Sequence, residues 1–459
     1  MILTNNKQMN LGLAILAIGV MSFAGVLIET AMNVTFPTLM QQFNIATADV
    51  QWVTTIYLLT IAVTVPLSTY LFRNYSIRGL FIFANLTFLI GLLIDFLAPS
   101  FLLLLAGRLL QGVATGIALP LMFHIILVYA PIRQRGTMMG IGTLTTSIAP
   151  AIGPTYGGIL TTQLSWHFIF IFLVPVLLLS LVLGLKVIPY HQVEKTGRLD
   201  MVSLFGLGLL FTGTLIFLSQ IGTLFGWVAL AFAIWGTWIF WHQSRHRDQT
   251  LINIKVLENR TFRLFLLGFL VCQFLLLGIS FVLPNLIQIV NGKSAFIAGL
   301  VMLPGATVGA LLSPLSGKLL DNWGAKRPIL FGLGLSSLGW GLLTLILGVN
   351  PLWGFVFSHV VYMVGSGLAY SNLMTTGMSA VSDEMRGDGN AIFNTLQQFS
   401  GAVATSLVAT IINVVQNHSQ LGYQKATVLG SQLALFVLFL ALIVILWRCW
   451  LFFRTPKAS

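Results

Sequence analysis

Charge is what this sequence has least of. Only 7% of its 459 residues are Asp, Glu, Lys or Arg while 57% are hydrophobic, whereas soluble domains carry roughly 25% charged residues. No water-exposed globule could absorb that much apolar surface, so a soluble fold is excluded. Cysteine is almost as scarce. Cys272 and Cys449 lie in separate apolar runs, which leaves neither a disulfide framework nor a metal-ligand cluster and says nothing of the redox compartment. The loops also lack a phosphate-cradling glycine loop, a histidine-rich metal motif and a nucleophile elbow. Direct ATP drive, a metal cofactor and membrane-enzyme chemistry are therefore not expected.

What the chain does have is a succession of apolar runs separated by short polar stretches. Each is about 20 residues long, the length that crosses a hydrocarbon layer about 30 Å thick as a helix rising 1.5 Å per residue. We count about fourteen, which predicts an all-α membrane protein. The opening MILTNNKQMN carries one basic residue before a first run too long for a signal-peptide core, so it is expected to be retained.

A net charge of +12 raises the question of nucleic acid, and the placement of the cations decides against it. With fourteen spans, 20 of the 23 Lys and Arg residues fall on the side holding both termini. Only Lys293 and Lys425 fall on the other side, and Arg108 falls inside a span. The positive-inside bias then puts both termini in the cytoplasm, with the bilayer as the partner of the apolar surface.

The chain also repeats itself. Residues 66–79, PLSTYLFRNYSIRG, align without gaps on 314–327, PLSGKLLDNWGAKR, and Arg135-Gly136 falls opposite Arg386-Gly387 at nearly the same offset. This predicts a six-helix half over residues 1–198, an inserted helix pair over 199–243 and a second six-helix half over 244–459. A substrate path is expected between the halves.

Four segments carry a family resemblance. The turn from Gly317 through Asp321 and Gly324 to Lys326 and Arg327 resembles the loop signature of the major facilitator superfamily. Charged helix ends joined by such a turn can lock by ion pairs and release. Glu29-Thr30-Ala31-Met32-Asn33-Val34-Thr35-Phe36-Pro37 at the end of span one, Arg108-Leu109-Leu110-Gln111-Gly112 in span four, and Gly153-Pro154-Thr155-Tyr156-Gly157-Gly158 in span five are similar to motifs of its fourteen-spanner drug:proton antiporter family. There are departures. Glu29 stands where that family more often has Asp, and the first-half loop has Arg73 and Ser76 opposite Asp321 and Gly324, so a cytoplasmic lock is expected to rest on the second half.

The resemblance implies a major facilitator fold, antiport driven by the proton gradient, and a monomer in a bacterial cell membrane. It implies outward movement of small amphiphilic or cationic compounds. A dedicated exporter of one metabolite, peptide or lipid and a non-transporting receptor or scaffold remain the alternative readings.

Eleven acids are available. Eight fall in loops or helix ends, Asp49 and Asp95 read as boundary residues, and Glu29 alone reads as embedded. A carboxylate at low dielectric gives up its charge more readily than in water, which suits it to carry a proton. The bland alternative has Glu29 reaching the headgroups or capping a structural pair. Arg108 lies at comparable depth and either tunes Glu29 or binds a helix carbonyl and Gln111. Trp52, Tyr57, Gln111, Asn394 and Gln397 are candidates to line a substrate cavity, or else belong to an aromatic belt and helix glue. His124 and His359 read as packed histidines and are left out of the site.

Overall fold

The computed structural model describes residues 10–131, 135–190, 199–246, 251–349, 351–382 and 385–454. Of the charges weighed above, Lys7, Arg133, Glu194, Lys195, Arg198, Arg247, Asp248, Asp383, Glu384 and Lys457 lie outside the described residues. Backbone groups inside a bilayer must find their partners within the chain. Among the described residues the regular structure is accordingly all helix.

The long helices are α1 (Leu11–Asn33), α2 (Thr47–Leu67), α3 (Ile77–Phe96), α4 (Phe101–Tyr129), α5 (Arg135–Gln163), α6 (Phe168–Val187), α7 (Met201–Ser219) and α8 (Leu224–His246). They continue with α9 (Arg260–Ile289), α10 (Ala295–Trp323), α11 (Lys326–Ile346), α12 (Leu352–Ser379), α13 (Arg386–His418) and α14 (Tyr423–Arg454). Thirteen of the helices are long and apolar enough to cross a membrane. The remaining one, α5, has 29 residues and holds Pro150 and Pro154 within a run of Gly and Thr, which lowers its hydropathy without shortening it.

Side chains that accept from orphan helix N–H groups mark several starts. Asn10 opens α1, Ser76 opens α3, Ser100 opens α4, Asp200 opens α7, Asn259 opens α9 and Ser294 opens α10. Gly324 closes α10 with φ of +70°, a conformation that a side chain would disfavour.

Packing assembles two bundles. In the first, α1 lies against α4, α5 and α6, while α4 also holds α2 and α3. In the second, α12 lies against α9, α10 and α11, while α14 holds α9, α11 and α13. The bundles touch where α5 meets α10 and where α2 meets α13. Helices α7 and α8 pack chiefly on each other, and α7 leans on α13 and α2. Phe211 of α7 stacks on Phe399 of α13 at 4.0 Å between ring centroids.

Fourteen long helices, run in alternation, return the chain to the end at which it starts, here called the terminal face. Side-chain bonds between bundles gather toward the other face. Thr155 donates to the Gly299 carbonyl at 3.3 Å, Gln288 to the Val34 carbonyl at 2.8 Å, and Thr47 to Gln416 at 2.9 Å. The Phe296 N–H donates to Thr162 at 3.2 Å.

Candidate functional site

The buried charged residues of the first bundle, Glu29, Asp95 and Arg108, belong to one cluster centred on Arg108. This side chain is completely buried, and a buried cation must be hydrogen-bonded and neutralised to be tolerated. Its Nε donates to the Val53 carbonyl of α2 at 3.1 Å. Its Nη1 donates to Gln111 Oε1, one turn further along α4, at 2.7 Å. The guanidinium lies 4.1 Å from the centre of the Tyr57 ring, a cation–π contact in a desolvated setting. Tyr57 in turn donates to Thr115 at 3.0 Å.

Glu29 approaches this cluster from α1. It is 8% exposed and lies four residues before the helix ends at Asn33. Its carboxylate forms no ion pair within 4.0 Å and no hydrogen bond among the described residues. Arg108 and Tyr57 lie in its own bundle, and α1, which carries Glu29, also touches α9 of the second bundle. Glu29 therefore belongs to a helix at the boundary between the bundles. Of the two partner sets open for Arg108, the helix carbonyl with Gln111 is the one observed.

Asp95 departs from its reading as a boundary residue. It stands one residue before the end of α3, yet it is completely buried and accepts from Gln111 Nε2 at 2.7 Å. A residue can sit at the edge of the bilayer in depth while lying at the centre of the bundle in cross-section. The facing glycine, Gly107 of α4, leaves the room it fills.

Other sequence candidates fall in different places. Gln111 is buried with its amide engaged at both ends, so it organises charge and is not presented to a cavity. Tyr57 is likewise fully buried beneath Arg108. Trp52 packs on the cluster of Leu58, Leu277, Ala402 and Ala404 where α2, α9 and α13 meet. Gln397 donates to the Tyr370 hydroxyl at 2.8 Å, which donates to Gln273 at 2.6 Å. Phe269 stacks on Tyr370 with ring centroids 4.4 Å apart. That neutral trio of the second bundle went unread in the sequence except for Gln397, although a Gln in mid-span is itself a signal of interhelical bonding. Among the described residues Asn394 bonds within α13, to Asn390 at 2.8 Å. His124 stacks on Phe72, and His359 is buried against Gly305.

The glycines of α5 form two seams. A side chain at Gly153 would collide with Thr30, and one at Gly157 with the Ala31 backbone, both in α1. On the neighbouring face a Cβ at Gly158 would lie 2.5 Å from the Ala295 carbonyl oxygen, and Gly299 of α10 meets the Pro154 backbone reciprocally. One helix thus binds its own bundle and the other bundle through direct backbone approach.

At the terminal face, Asp321, Lys326 and Arg327 are exposed and Gly317 faces open space. Asp321 makes no ion pair among the described residues. Among the described residues the one ion pair is Arg245 with Glu258 at 3.6 Å.

The pattern of the Major Facilitator Superfamily matches residues 18–405. The chain belongs to that superfamily. It is 33% identical over 407 residues to the lincomycin resistance protein LmrB of Listeria innocua, covering 86% of this chain and 85% of the relative. It is 32% identical to LmrB of Bacillus subtilis over 402 residues, covering 86% and 84%. Its fold resembles that of a bacterial homologue of the human lysosomal transporter Spinster, with TM-score 0.68 at 14% identity, covering 98% of this chain and 99% of the other. The protein is a multi-span membrane transporter of the superfamily, with bacterial relatives, and not an enzyme.

Proposed function

We propose that this transporter exports small amphiphilic or cationic compounds in exchange for protons. It works by alternating access as a monomer in the cell membrane, with both termini cytoplasmic and no cofactor beyond the proton gradient. The observation that carries the reading is Glu29: an embedded carboxylate without a hydrogen-bond partner among the described residues, on a helix at the boundary with the bundle that holds the neutral trio of Gln273, Tyr370 and Gln397. Ionised, Glu29 attracts a cationic solute, and the trio offers its hydroxyl and amides to the solute's polar part. Protonated from outside, it releases that solute and allows the return. Coupling requires this kind of competition, in which proton and solute favour different states of one site.

The relatives named for lincomycin resistance support a drug as cargo. They equally favour a second reading, a dedicated exporter of one compound class. Both are tested by a substrate screen in proteoliposomes under an imposed pH gradient, with lincomycin and several lipophilic cations as solutes. Movement of many solutes supports broad export, and movement of one supports the dedicated exporter. Glu29→Gln should abolish gradient-driven transport, whereas Glu29→Asp should keep part of it. Full transport by Glu29→Gln would remove Glu29 as the coupling group.

A further inference from the structure

The arrangement around Arg108 holds one cation and two acids. Arg108 only donates hydrogen bonds, so the Gln111 oxygen must face it. The Gln111 amide nitrogen is thereby turned toward Asp95, which has to accept. The chain of dipoles runs in one sense from the guanidinium through the amide to the carboxylate, carrying the positive field of Arg108 to an acid on another helix. Gly91 and Gly107 make the path short, since a side chain at either would strike the opposite backbone at 2.9 Å. Among the described residues, Asp95, Glu29 and Tyr57 are the ionisable side chains that act on Arg108. Val53 contributes a carbonyl and Thr115 a hydroxyl to the same cluster.

We propose that Asp95, acting through the Gln111 amide, is the standing counter-ion of Arg108 and so leaves Glu29 free to exchange a proton for a cationic solute. The inference rests on the proton-coupled reading of Glu29. If Glu29 were the sole counter-ion, protonating it would strand a buried guanidinium without a compensating charge, and that cost would hold Glu29 ionised. With Asp95 ionised, a protonated Glu29 leaves a neutral pair behind it. An ionised Glu29 then carries the negative charge that a cation needs. Asp95 is thus a positioning residue that sets the proton affinity of Glu29 without touching the solute.

Removing the Asp95 charge should make Glu29 harder to protonate. The test measures binding of radiolabelled tetraphenylphosphonium to the purified full chain over about pH 3 to 9, which brackets carboxylate and imidazole titration. In the parent protein binding should weaken as pH falls. In Asp95→Asn, which keeps shape and an acceptor for Gln111, the midpoint should move acidward by about one pH unit, a tenfold change in proton affinity. Gln111→Met, which cuts the amide relay and keeps the acid, should shift it the same way by less and covers the case in which Asp95→Asn fails to fold. A purely structural role would lower binding at every pH and leave the midpoint in place. A midpoint unchanged in the folded variants, while Glu29→Gln flattens the profile, overturns the role of Asp95 alone. A parent profile flat with pH removes the coupling role of Glu29 and this inference with it.

Discussion

Each contact of the Arg108 guanidinium uses a different part of it: an edge for the Val53 carbonyl, another for Gln111, and the flat face for Tyr57. An ammonium is a compact point charge and cannot serve all of these at once. Arg108→Lys should therefore keep the charge and lose the geometry. A hydrogen bond to a charged group contributes about 1.5 to 3 kcal/mol, so we expect transport to fall by about 10- to 100-fold while the protein still inserts. Initial rates in proteoliposomes check this, and a rate near that of the parent would show that charge alone suffices. The same cluster shows what a sequence can reveal of a residue. Glu29 and Arg108 are legible because an ionised group inside an apolar run stands out. Asp95 is not, because its place beside the end of α3 gives depth, whereas its burial depends on which helix faces it. Tyr370 and Gln273 are hidden for another reason: uncharged polar residues are common in spans, and only the fold tells which of them meet.

Helix α5 carries the strongest demands of any element. Its prolines and glycines weaken it as a helix and let two neighbours approach it backbone to backbone. The two seams call for different outcomes. Gly157 faces the Ala31 backbone within its own bundle, so a side chain there strains the bundle itself. Gly158 faces the Ala295 and Phe296 backbone across the interface, so a side chain there opposes the contact between bundles. Gly158→Val should abolish transport and expose cysteines introduced along the seam, such as one replacing Ala295, which is buried against it, to a membrane-impermeant thiol reagent, with thermal stability near that of the parent. Unchanged labelling and transport would mean that the seam yields. The existence of α5 was legible from its length, and its close approach from the glycine spacing. Which neighbour each glycine serves was not, since that depends on the rotation of α5 about its axis and on a partner more than a hundred residues away.

For the whole molecule, hydropathy made the number of long helices legible, because each must satisfy its own backbone in lipid. The match between residues 66–79 and 314–327 pointed to paired bundles, but nothing in it says at which face the bundles touch. In this conformation their side-chain bonds lie away from the terminal face, while Asp321 stands exposed without an ion pair among the described residues. A group that makes no contact in one state cannot stabilise that state through contact. If Asp321 contributes to the cycle, it does so by pairing with cations when the terminal face is closed, and the first-half loop, with Arg73 in the matching position, can offer no acid in its place. Asp321→Asn should therefore leave the present conformation intact and weaken its alternative, a shift of populations with no change of site. Asn394 lies partly buried on the terminal half of α13, where a cysteine would report that shift. Asn394→Cys in the Asp321→Asn background should react severalfold faster with a thiol reagent added from the terminal face than in the parent background. Equal rates in the two backgrounds would show that the second-half turn does not hold the terminal face closed.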